Sequence, residues 1–187
     1  MFKLIRTLHI YVSMFGLAAL LFFAVTGITL NHPDWFARSE PIRRQVTGTI
    51  DPAALKEPDK LAVVEALPSD LHITGAVGTF EVTDDECFID FKRPGGAATV
   101  VINRQTGQAQ ATIDSYGPVA VINDLHMGRD AGGPWKLFID ISALLMVFVS
   151  ITGMLLLFKL PKRQRLGFIL GSAGLAACVV VYLLFVP

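Results

Sequence analysis

Three long stretches without a formal charge constrain this chain more than any other feature. Residues 7–33, 141–158 and 166–187 contain no Asp, Glu, Lys or Arg. As helices rising 1.5 Å per residue, stretches of this length match the roughly 30 Å of a bilayer's hydrocarbon core. Lipid offers backbone groups no partner, so such stretches must be helical. The hydrophobic share of 52% is consistent with a membrane protein. The first run begins after a basic start, as signal peptides do. It is long and lacks a good small-x-small cleavage site, so it reads as a retained span.

The charges give these spans a direction. Lys3, Arg6, Lys159, Lys162, Arg163 and Arg165 occupy the flanks with no acid among them. All sixteen acids lie between Asp34 and Asp140 with the other ten bases, a difference of six negative charges. Short Lys/Arg-rich flanks stay on the cytoplasmic side. The expected protein spans the membrane with its N-terminus inside, and its main domain and C-terminus outside. The expected segments are a first transmembrane helix over residues 1–33, a soluble module over 34–118, a connector over 119–136, a second helix over 137–158, a basic turn over 159–165 and a third helix over 166–187. Asp140 is costly against lipid, so it is expected to face the bundle or the loop. No nucleic-acid partner is expected; the membrane lipid is one.

The central stretch reads as a small α+β module. Asp51-Pro52 pairs a capping residue with proline at a first helical position, and Leu61, Val63, Val64 and Leu67 continue an apolar helical face up to Pro68. From Thr79 the period changes to strands near residues 79–83, 87–91, 98–103 and 108–113, with a turn at Asn103–Gly107. Cys87 and Cys178 lie in different settings, so neither a disulfide framework nor a Cys-x-x-Cys-His haem attachment is present. Cys87 reads as a core thiol, and Asp84-Asp85-Glu86 as a hairpin turn. No Gly-rich phosphate loop, nucleophile elbow or metalloprotease motif is visible, so the sequence names no catalytic group.

The chemistry-bearing candidates are histidines. His32 stands where the first apolar run ends, before Pro33; His126 stands shortly before the second begins. Both are expected at one membrane face, and two neutral imidazoles are what a b-type haem needs as axial ligands. His32 and His126 are therefore the candidate iron ligands, with Asn31, Asn123 and Asp124 as partners for their other ring nitrogens. Arg129 and Arg38 are candidates for the haem propionates. The competing reading is two interfacial histidines bonded to loop carbonyls. His9, about 34 Å from His32 along a helix, cannot share that haem. It is either a ligand needing another partner or an interhelical hydrogen-bonding histidine. His72 reads as a surface residue. Val25-Thr26-Gly27-Ile28 is echoed by Ile151-Thr152-Gly153-Met154 in the next span, where small residues let helices approach. Gly167, Gly171 and Gly174 on the third span could pack intramolecularly, bind a membrane-protein partner or form a homodimer.

Arg6-x-Leu8-His9, Thr26-Gly27, Leu30-Asn31-His32-Pro33, Leu125-His126-x-Gly128-Arg129 and Asp140 with Thr152-Gly153 together resemble the PepSY-associated transmembrane proteins of bacterial membranes. Val101 to Gly107 resembles the end of a PepSY module. With the three transmembrane helices read above, the resemblance implies an inserted α+β PepSY-like periplasmic module; larger members have an additional span and more histidines than the four here. Larger members include inner-membrane ferric-siderophore reductases with b-type haems on histidines. The implied function is electron transfer or reduction of a periplasmic ferric chelate through haem b. The alternative is a non-enzymatic, membrane-anchored partner-binding or assembly subunit of a larger complex.

Overall fold

The computed structural model describes residues 2–36, 40–56 and 58–187. Helix α1 runs Phe2–Asn31, and Pro33 starts a single turn, α2, Pro33–Phe36. The break lies where proline bars its predecessor from helical geometry. His32 N still reaches Ile28 O at 3.1 Å, so the last turn of α1 is closed before the chain turns. Strand β1 covers Ile42–Thr49 and α3 Lys60–Glu65; strands β2 Ala76–Val82, β3 Glu86–Arg93, β4 Gly96–Asn103 and β5 Gln108–Ser115 follow. Then come α4 Pro118–Met127, α5 Gly132–Leu157 and α6 Pro161–Phe185. Helices α1, α5 and α6 are each long and apolar enough to cross a membrane. The basic turn expected over 159–165 is shorter than its charges suggested. Pro161 suits the first position of a helix, so Lys162, Arg163 and Arg165 already belong to α6.

The chain divides into two compact units, residues 1–21 with 140–187, and residues 22–139. In the larger, five antiparallel strands lie in the order β1-β5-β4-β3-β2. Four of them are the expected meander. The fifth, β1, had no expected counterpart: Arg43, Arg44 and Gln45 are exposed, so this edge strand lacks an apolar alternation. Arg43 is instead tied to its β5 neighbour Asp114, with Nε to Oδ1 at 2.8 Å and NH2 to Oδ2 at 2.9 Å. That hydrogen bond holds the Asp114 carboxyl below its ordinary range.

One face of the sheet carries the core. Cys87, Ile89, Phe91, Ala98, Val100, Ile102, Ala109 and Ala111 are buried there with Leu55 and Val63. Fully burying a Leu, Ile or Val side chain contributes about 1.5–3 kcal/mol. Asp59 caps α3 by accepting from Leu61 N and Ala62 N. Arg104 closes this end of the module by donating to Leu55 O, Lys56 O, Thr83 O and Asp84 O. Gly107, at φ +70°, accepts Ile50 N at 2.8 Å through its carbonyl. The opposite face is polar and open, with a shallow hollow lined by Thr47, Thr49, Glu86, Asn103, Gln108 and Gln110.

In the smaller unit α6 packs on α5 where Gly167 meets Leu157, and the Phe158 and Phe168 rings lie 5.3 Å apart. Lys159 Nζ sits 4.3 Å from the centre of the Phe2 ring.

Candidate functional site

In the larger unit the residues that converge belong to α4 and the end of α1. Asn123 and His126 are three apart, so they share one face of α4; Thr26 and Thr29 share one face of α1 for the same reason. Thr29 Oγ1 donates to Asn123 Oδ1 at 2.6 Å, and His126 Nδ1 lies 2.5 Å from Thr26 Oγ1. The His126 ring stands edge-on to Phe23 with centroids 5.2 Å apart. Thr26 and Thr29 are both buried. Asp124, one residue on, points elsewhere: its Oδ2 accepts Gly95 N at 2.8 Å, and Oδ1 lies 3.6 Å from Arg129. Trp135 Nε1 of α5 donates to Leu125 O at 2.8 Å. Helix α4 is thereby tied to α1, to the β3–β4 turn and to α5. Gly95, at φ +69°, allows that turn to approach, because a Cβ there would run into Val121.

The smaller unit repeats the His–Thr contact. His9 Nδ1 of α1 lies 2.8 Å from Thr152 Oγ1 of α5, and Thr152 is buried. His9 thus makes an interhelical hydrogen bond through Nδ1. Gly27 and Gly153 follow the two threonines, and a Cβ would stand 3.8 Å from His126 Cε1 and 3.3 Å from His9 Cε1 respectively.

His32 is arranged differently. Its ring stacks on Trp35 at 3.9 Å and 7°, and its Nε2 is 3.4 Å from Asn31 Nδ2. It lies six residues beyond Thr26, which is about 9 Å of helix rise. The structure therefore does not give His32 and His126 a shared partner. Neither Asn123 nor Asp124 is hydrogen-bonded to His126; Thr26 is its partner instead, while Asn123 is engaged by Thr29 and Asp124 by Gly95. Arg129 is exposed beside Asp124, and Arg38 lies outside the described residues.

Other candidates have plainer settings. His72 is exposed, in a left-handed conformation at the end of a single turn. Cys87 is buried among core residues, and burial pushes its thiol up. Asp140 is exposed on α5 rather than turned inward; eight residues from the helix start, it is close to the polar end. Among the described residues no group of three or more His, Cys, Asp or Glu could hold a metal ion. The sequence reading missed Thr26, Thr29 and Thr152 as partners. Their signal was present in the paired Thr-Gly steps and in the matched three-residue spacings of Thr26/Thr29 and Asn123/His126.

A family model described as PepSY_TM-like matches residues 3–187, nearly the whole chain. The protein belongs to this family. No curated protein and no solved structure matches it. This PepSY_TM-like protein is a membrane protein with three apolar helices and an α+β module, as the charge-free runs and the resemblance implied.

Proposed function

We propose that this PepSY_TM-like protein is an inner-membrane electron-transfer protein that binds a b-type haem near the periplasmic face and serves the reduction of a ferric chelate. One observation carries the reading: His126 is held at Nδ1 by Thr26 and has no partner at Nε2 among the described residues. An axial imidazole needs that arrangement, a hydrogen bond on one nitrogen and a lone pair on the other. His126 fits the group. His32, the expected second ligand, fits only if its ring leaves Trp35, since the present placement separates the two imidazoles along α1. A bound haem supplies one-electron chemistry, with the potential set by its ligands and burial. The protein's own part is to orient His126, through Thr26 and Phe23, and to keep α4 fixed against α1.

A pyridine haemochrome assay on protein purified from haem-replete cells tests this. One b-type haem per chain is expected, lost in His126→Ala and His32→Ala and retained in His9→Ala. Colourless wild-type protein overturns the reading. Reporter fusions test the orientation: activity of a cytoplasmic reporter at residue 90 and its silence at residue 162 would reverse the proposed topology.

A second reading is an anchored partner-binding or assembly subunit. It is favoured by the uncovered polar sheet face and by an α4 tied on three sides, an arrangement suited to presenting the module rather than to catalysis. A photo-crosslinking residue at Gln110 in intact membranes tests it, and absence of any adduct counts against it.

A further inference from the structure

The two Thr-Gly steps do more than let helices approach. Thr26 Oγ1 lies 2.6 Å from Phe22 O as well as 2.5 Å from His126 Nδ1. Thr152 Oγ1 lies 2.8 Å from Phe148 O as well as 2.8 Å from His9 Nδ1. A threonine hydroxyl has one proton, and a carbonyl oxygen four residues back can only accept it. Both contacts at each threonine are satisfied together only when the imidazole donates from Nδ1. The neutral ring then carries its lone pair on Nε2. At Gly153 the missing Cβ would otherwise crowd the His9 ring at Cε1, whereas at Gly27 a Cβ would reach His126 Cε1 only at ordinary contact distance.

We propose that Thr26-Gly27 and Thr152-Gly153 are two copies of one device, an imidazole seat that selects the Nδ1–H tautomer of His126 and of His9 and presents Nε2 as an electron-pair donor. Thr26 and Thr152 are positioning residues acting through these histidines. The ligand class an Nε2 lone pair takes is a borderline transition-metal centre. At His126 this deepens the haem reading by naming what prepares the ligand. At His9 it stands independently of that reading.

Ring-¹⁵N-labelled histidine in the full chain, reconstituted in nanodiscs, reads the tautomers directly. His9 and His126 are expected with protonated Nδ1 and bare or metal-bound Nε2. Thr26→Val should release His126 to a tautomer mixture and Thr152→Val should release His9, each without altering the other. Thr26→Ser and Thr152→Ser should restore the wild-type signals. Gly153→Ala should disturb His9 more than Gly27→Ala disturbs His126, because its added methyl is the closer. In protein that carries haem, Thr26→Val should also shift the reduced absorption bands and midpoint potential, and Thr26→Ser should not. Protonated Nε2 at both histidines in the wild type overturns the proposal whether or not haem is bound. So do unchanged tautomers in folded Thr→Val variants. Colourless protein with Nδ1–H at both positions removes the haem reading and leaves the seats standing.

Discussion

The core face of the sheet and helix α6 are both rich in aliphatic side chains, yet they dispose of them in opposite ways. Ile89, Val100 and Ile102 are wholly buried in the module, whereas α6 has no buried residue and leaves Leu175, Leu183 and Leu184 exposed. The difference lies in the solvent each is built for. In water, alternation puts every second side chain into a shared core, and stability follows from apolar area removed. In lipid, an exposed leucine costs nothing, and backbone satisfaction within the helix decides the structure. The same residue types therefore have different consequences when altered.

The largest contrast is truncation. Leu55→Ala should destabilise the module by about 2–5 kcal/mol, while Leu183→Ala should leave its stability unchanged. Urea unfolding of the full chain in detergent, followed by Cys87 accessibility, measures both; equal costs would break the comparison.

Glycines sharpen it. Gly107 has a positive φ and faces the Ile50 carbonyl, so Gly107→Ala should cost about 2 kcal/mol or more. Gly171 sits in a helix where an added methyl would meet nothing within 4 Å, so Gly171→Ala should be neutral or gain up to about 1 kcal/mol. Gly171→Leu then isolates contacts with another chain. It should weaken self-association in cross-linking or sedimentation while leaving any haem spectrum intact.

Thiol reactivity gives a smaller, kinetic contrast. Cys87 is buried and its thiol is raised by desolvation, so it should resist alkylation until the module unfolds. Cys178 is exposed on the apolar span α6, where hydrocarbon also disfavours the reactive thiolate, so it should label slowly in intact membranes but at a rate independent of unfolding of the module. Rapid labelling of Cys87 in the native protein would show that its strand opens.

The smallest effect is the exposed Arg43–Asp114 pair at the sheet edge. Its hydrogen bond lowers the Asp114 pKa in the folded state. The contribution is therefore present above the unfolded carboxylate value of about 3.9 and fades as pH falls through the lower folded value. Asp114→Asn should lower the urea midpoint slightly at pH 7, and that difference should vanish at acidic pH. A difference that grows on acidification would reverse the sign assigned to the pair.

The sequence by itself determined what depends on local chemistry. Uncharged length marked the three spans, Pro33 the end of α1, Asp51 the start of a helical turn, and the Asn103–Gly107 turn the β4–β5 hairpin, because each acts within a few residues. It also singled out His9, His32 and His126 as candidates for chemistry. It could not reveal β1, whose polar edge sequence becomes a strand only by pairing with β5. Nor could it say that His126 would meet Thr26 and His9 would meet Thr152, while His32 stacked on its neighbour Trp35. Those pairings join residues 100 and 143 positions apart. Which hydroxyl reaches which imidazole is set by how α4 and α5 pack against α1, and packing is a property of the assembled helices rather than of any one stretch of chain.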